Sequence, residues 1–295
     1  MFCFECWCIA GILRPGAYAL SGLLVQRSAQ KCRWMCRVGP PSMRKFVLNG
    51  APKALPSLHS YSQCVTLGKN LFVRSAMNII AINGSPRKKW NTSTLLEHAL
   101  AGAAERGAAT ELVHLYEQDY KGCTSCFACK KIGGKSYGRC AMKDGLTPVL
   151  KRAAKADALI LGSPIYFYTE TGEMRSFLER LLFPYCSYTP GYRSIFPRRM
   201  PTALVYTMNI PEEQMPALGQ DRSTAATQGV MARMFGACEL FLCTDTYQFT
   251  DYSKYETSAW DAEAKAKRRA EVFPQDCARA RELGARLAEQ AKSGE

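Results

Sequence analysis

The stretch MNIIAINGSPRKKWNTSTLL, residues 77–96, decides the fold. Met77–Ile82 is a short apolar run, the pattern of a buried strand. Asn83–Thr94 is a polar loop, and from Thr92 to Arg106 the apolar residues Leu95, Leu96, Ala99, Leu100 and Ala103 recur at helical spacing. A strand that turns tightly into a helix is the opening unit of an α/β domain if the pattern repeats.

It does repeat. TELVHLY (110–116), ALILGS (158–163) and TALVYTM (202–208) read as strands, and CELFLCTDTYQF (238–249) contains a further one. Helical runs lie between them at 146–156, 173–183 and 224–236, with Pro148 tolerated in a first turn. The Ala-, Glu-, Lys- and Arg-rich segment 262–292 predicts a helix broken near Pro274. Five short strands separated by helices predict a doubly wound five-stranded parallel sheet in three αβα layers. Ligands of such sheets bind beyond the carboxyl ends of the strands, at the switch point. The loops after the first, third and fourth of these strands are therefore the ones to read.

The first, Asn83–Thr94, enters a helix whose free N–H groups and dipole favour an anion. Ser85, Asn91, Thr92 and Ser93 add short donors, Arg87 a guanidinium fork, and Gly84 room for a close turn. The loop reads either as a phosphate cradle or as a capped helix with a basic lead-in; it matches neither common glycine-rich phosphate motif. The second, Gly162–Arg180, carries Pro164, Ile165, Tyr166, Phe167 and Tyr168, aromatics that either stack on a flat ring or cap the core. The third offers Thr207 and Asn209.

Between the second strand and the next helix lies CTSCFACKKIGGKSYGRC, residues 123–140. Cys123, Cys126 and Cys129 stand three apart, and Cys140 follows a ten-residue insert. Four thiols so spaced suit an iron–sulfur cluster, a tetrahedral zinc, or uncommitted redox thiols. Cys186, Cys238, Cys243 and Cys277 are isolated and read as small buried hydrophobes. His98 and His114 read as structural, and AKAKRRAE (264–271) as a solvated helix face rather than a nucleic-acid patch.

Together, AINGSPRKKWNTSTLL, the cysteine segment and DALILGSPIYFYTETGEMRSFLERL resemble the flavodoxin-like NAD(P)H-dependent FMN reductases, over roughly residues 77–250. The resemblance implies a flavodoxin-like fold and an FMN oxidoreductase that takes hydride from NAD(P)H and passes electrons to an acceptor. It implies that Ser85, Arg87, Asn91, Thr92 and Ser93 hold the FMN phosphate. Pro164, Ile165, Tyr166 and Phe167 would line the ring, helped by Thr207 and Asn209. One branch, the iron–sulfur flavoproteins, carries a compact cysteine motif in the loop after the second strand, which implies Cys123, Cys126, Cys129 and Cys140 as ligands of a 4Fe-4S cluster. The insert before Cys140 is longer than that motif usually has. The resemblance also implies a homodimer or homotetramer with the flavin near a subunit interface. An electron carrier without turnover is the alternative; flavodoxins lean acidic, which tells against it here.

Charge and cysteine usage divide the chain. Of the formal +14, +9 falls in residues 1–76, where ten basic side chains face Glu5 alone; 29 basic and 24 acidic side chains remain, leaving +5. The overall charge is therefore not a nucleic-acid signature of the domain. Residues 1–76 show no sustained period and read as an upstream extension with translation starting at Met77, as an acid-poor organellar presequence, or as a small binding module. The boundary is placed at 76/77, with 77–295 as the flavodoxin-like domain. No run of 18 uninterrupted apolar residues appears, so no membrane span is expected. Chain length and cysteines at metal spacing point to a reducing, cytoplasmic compartment.

Overall fold

Strand β1 (Asn78–Asn83) pairs in parallel with β2 (Ala109–His114) on one side and β3 (Ala158–Tyr166) on the other. β3 pairs in parallel with β5 (Met200–Thr207), and β5 with β6 (Gly236–Cys243), giving the order β2-β1-β3-β5-β6. This is the doubly wound flavodoxin-like order, in which the chain runs outward in both directions from the middle of the sheet. The structure, a computed structural model, describes residues 77–294; the readings made for residues 1–76 lie outside the described residues.

The strands bury both faces because each alternates two apolar sets. Ile79, Ala81, Ala158, Ile160, Ala203 and Val205 face α1 (Asn91–Glu105) and α6 (Phe273–Ser293). Ile80, Ile82, Leu159, Leu161, Leu204 and Tyr206 face α2 (Leu146–Ala153), α3 (Gly172–Leu182) and α4 (Gln220–Phe235). Register sets the strand ends in one row: Asn83 lies opposite both His114 and Gly162, and Thr207 opposite both Pro164 and Cys243. The three candidate loops leave from that row.

Helix α1 is fixed by its crossing with α6. A Cβ on Gly284 would overlap the carbonyl oxygen of Ala99, and one on Gly102 that of Arg281. Each backbone thus lies against the other, and glycine is what permits the approach. The crossing aims the first turn of α1 at the carboxyl edge of the sheet.

The sequence reading differs from the structure in four places. β3 runs three residues past Ser163, so Pro164 and Ile165 belong to a strand rather than a loop. A short strand β4 (Thr169–Glu170) folds back on it antiparallel, making a six-stranded sheet. Cys186 and Cys238 are half-buried, whereas Cys243 and Cys277 are buried as expected. Helix α5 (Ala262–Glu271) is not a uniformly solvated face: Lys265 is buried and bonded to Asp245, and Arg268 and Arg269 are half-buried. The break near Pro274 is real, with Pro274 in the first turn of α6, where its missing N–H costs nothing. No described helix is long and apolar enough to cross a membrane.

Gly284→Ala is expected to force α6 away from α1 and cost about 1–3 kcal/mol or more. Chemical denaturation measures it; an unchanged midpoint would refute the close crossing.

Candidate functional site

At the end of β1, the Asn83 side chain bonds in two directions. Its Nδ2 donates to His114 Nδ1 (3.0 Å) and its Oδ1 accepts from the Ser85 N–H (2.9 Å). The Ser85 Oγ accepts from the Arg87 N–H. These bonds turn the loop toward α1 without using the helix's own donors. Trp90 precedes α1 and caps nothing, and the N–H groups of Asn91, Thr92 and Ser93 find no acceptor among the described residues. Those three residues are buried, and the Trp90 Nε1 donor is buried without a partner. Four donors left open at one buried helix start are what an anion satisfies.

The other two loops are hydrogen-bonded to this one. Thr171, which caps α3, also donates its hydroxyl to the Gly84 carbonyl (2.7 Å), tying the hairpin after β3 to the first loop. The hydroxyls of Thr92 and Thr207 meet at 2.8 Å, tying the start of α1 to the end of β5. Asn209 follows, with its Oδ1 buried and unpartnered. A fourth segment, not among the loops read for the site, is bonded to the first loop as well. Asn91 Nδ2 donates to the Tyr247 carbonyl (2.9 Å), Arg87 to the Gln248 carbonyl (2.6 Å), and Arg269 of α5 donates to Asn91 Oδ1 (2.8 Å). The Asn91 side-chain amide is thereby spent within the protein, while its backbone N–H has no acceptor among the described residues.

The β3–β4 hairpin turns on Phe167 and Tyr168, both left-handed (φ 49° and 69°). Two positive φ values match the twist of a two-residue hairpin, and glycine or asparagine usually takes them. Here two aromatics do, at a cost of about 1–3 kcal/mol each. The surroundings hold the turn: the Tyr168 carbonyl accepts from Ser223 Oγ (2.6 Å) and Gln220 Nε2 (3.3 Å). Beneath it Glu170, 4 % exposed, accepts from the Tyr206 hydroxyl, from Thr169 (2.8 Å) and from Arg175 (3.3 Å). Burial alone would raise the Glu170 carboxyl; the donors, Tyr206 foremost, outweigh it and hold the group below its usual range. Burial, then the Glu170 charge, pushes the Tyr206 hydroxyl far up. The hairpin thus stands on an ionised carboxylate. Tyr166 is partly exposed, whereas Phe167, at 97 %, projects into solvent and packs on almost nothing.

The four cysteines line one cavity of about 20 Å³ with Met142, Glu179 and Arg180. Cys123 and Cys126 are exposed, Cys140 half-buried and Cys129 buried. Ser125 and Phe127, between the first three, are left-handed (φ 53° and 55°) and stage the thiols around a tight coil. Arg180, 2 % exposed, donates to Cys140 Sγ (3.4 Å) and grips Asp144 with two bonds (2.5 and 2.9 Å). That guanidinium holds the Asp144 carboxyl below its ordinary range. Removing one partner of a buried pair costs about 3–5 kcal/mol, so Arg180 is fixed in place. Among the described residues no three His, Cys, Asp or Glu side chains converge on one metal ion. A cluster takes each thiolate at a different corner, and four thiols beside a guanidinium suit that donor set. Neither this cavity nor the cleft of about 380 Å³ beside it reaches the α1 cradle.

Arg180, Asp144 and Arg269 were not read as site residues from the sequence; Arg269 lay in the segment read as a solvated helix face. Arg180 sits in an amphipathic helix whose pattern gives no sign that it points inward. Helix α3 joins the two places, since Thr171 at its start meets the first loop and Arg180 in its last turn meets Cys140. At 1.5 Å per residue they are about 13 Å apart along the axis.

Residues 77–199 match the family model described as NADPH-dependent FMN reductase. An iron–sulfur flavoprotein of Methanocaldococcus jannaschii is 36% identical over 104 residues, covering 35% of this chain and 51% of that protein. One of Archaeoglobus fulgidus is 38% identical over 104 residues, covering 35% and 48%. Both the family and the branch that the sequence resembles are matched. The matched segment spans about half the length of these curated relatives. Among solved structures, the NAD(P)H:quinone oxidoreductase from Methanothermobacter marburgensis aligns with TM-score 0.54 at 15% identity, over 72% of this chain and all of that one, which shows the fold.

Tyr206→Phe removes the principal donor to Glu170. A depressed carboxyl contributes stability that is lost as pH falls through its folded pKa, and losing a donor raises that pKa. The acid-unfolding midpoint, followed by tryptophan fluorescence, should therefore move to higher pH; a midpoint that stays or falls contradicts the ionised latch.

Proposed function

We propose that the domain is an FMN-dependent oxidoreductase that draws hydride from NAD(P)H and hands electrons to a small-molecule or protein acceptor. One observation carries the reading. The Thr171–Gly84 and Thr92–Thr207 hydrogen bonds join three loops at the carboxyl edge of the sheet, beside a buried helix start with open donors. The N–H groups of Asn91, Thr92 and Ser93, with Ser85 and the free arms of Arg87, hold the phosphate. Pro164, Ile165, Tyr166 and Phe167 flank the ring, and Asn209 offers a buried acceptor to a ring N–H. FMN, when bound, supplies the hydride and electron chemistry; this chain binds it, orients it and limits water around it. No side chain is assigned as a general acid or base.

Cys123, Cys126, Cys129 and Cys140 would hold a 4Fe-4S cluster, with Arg180 placed to balance its negative charge. The ring face is exposed in one chain, which supports a homodimer or homotetramer in which a second copy covers it. A cytoplasmic location completes the reading.

Anaerobic purification of the full chain, followed by an absorbance spectrum with flavin, iron and acid-labile sulfide quantified, tests both groups. FMN near one per chain, and rapid NAD(P)H oxidation with a quinone, are expected. A colourless protein that takes up no added FMN defeats the oxidoreductase reading; flavin bands alone, without iron or sulfide, remove only the cluster. Arg87→Glu, on the exposed loop, should weaken FMN at least tenfold with little change in melting temperature.

A further inference from the structure

Two guanidinium groups flank the open start of α1, and neither lies within ion-pair distance of a carboxylate among the described residues. Arg87 donates to the Gln248 carbonyl and lies 5.4 Å over the Trp90 ring. Arg269 donates to Asn91 Oδ1 (2.8 Å) and stacks 3.9 Å over Phe273. Their neighbours contrast with them: Arg268 is neutralised by Asp276 (2.8 Å), and Lys265 by Asp245. A pin that only fastened α5 to Asn91 would need a donor, not a charge. A half-buried guanidinium without a counter-ion, beside three open N–H groups and the orphaned Trp90 Nε1, lacks an anion. With the helix dipole, two such cations match a dianionic phosphate monoester better than a neutral hydroxyl.

Resting on the flavin reading above, we propose that Arg269 of α5 is a specificity-determining residue of the cradle, ligating the terminal phosphate and making this chain select FMN over riboflavin. Asn91 is its support: tied to Tyr247 on one side, it holds the guanidinium at the helix start on the other. The charge thus comes from a helix more than 170 residues along the chain from the loop it serves.

Flavin-free full-length protein is titrated with FMN and with riboflavin, following quenching of flavin fluorescence, for the wild type, Arg269→Gln, Arg269→Lys and Lys267→Gln. Lys267 is an exposed neighbour on the same helix. Arg269→Gln should weaken FMN about ten- to a hundredfold and leave riboflavin within about twofold. Arg269→Lys, which keeps the charge and loses the fork, should recover part of the loss, and Lys267→Gln should change neither. If Arg269→Gln weakens both flavins alike, or leaves FMN untouched, Arg269 is a structural pin and the inference is overturned while the flavin reading stands. A wild type that binds neither flavin overturns both.

Discussion

The first turn of α1 is buried and uncapped, and the rest of the site is arranged around that constraint. A buried N–H without an acceptor is costly, and three in a row, with an indole N–H beside them, are costlier still. The protein does not relieve this internally, although serine, threonine and asparagine stand at the spot. Their side chains are spent elsewhere: Thr92 on Thr207, Asn91 on Tyr247 and Arg269, Ser93 toward Glu97. The crossing of α1 and α6 on paired glycines keeps the turn from drifting out to water.

The aromatic hairpin is the second place where local preference is overruled. Phenylalanine and tyrosine sit at left-handed positions because Glu170 and its donors fasten the strand below, and α4 holds the Tyr168 carbonyl from the side. Conformational strain at a turn persists only where its surroundings over-determine it, and such turns gather at binding sites. Here the turn leaves the rings of Tyr166, Phe167 and Tyr168 exposed.

Helix α3 links this hairpin to the cysteine loop. Its N-terminus is capped by the threonine that also holds Gly84, and its last turn buries the arginine that holds Asp144 and Cys140. A rigid helix with one candidate redox centre at each end keeps their spacing fixed, while the Cys123–Cys126 arm stays exposed.

Periodicity specified the five parallel strands and the helices between them, because burial on both faces demands apolar strands and amphipathic helices wherever they pair, and Pro274 marked the break between α5 and α6. Motif chemistry pointed to the loops to read, since a strand that turns into a helix leaves N–H donors at the sheet's carboxyl edge; whether they are capped is settled by the fold. The β3–β4 hairpin was not legible: nothing in Tyr166–Phe167–Tyr168 signals a tight turn, and the contacts that hold it, Tyr206 on Glu170 and α4 on the Tyr168 carbonyl, come from distant segments. Nor were the inward arginines. Arg180 looked like one more polar residue on an amphipathic helix, and Arg269 belonged to a charge run that read as solvated. Spacing along a chain reports which face of an element is apolar; which charge is left without a partner is decided only when distant elements pack.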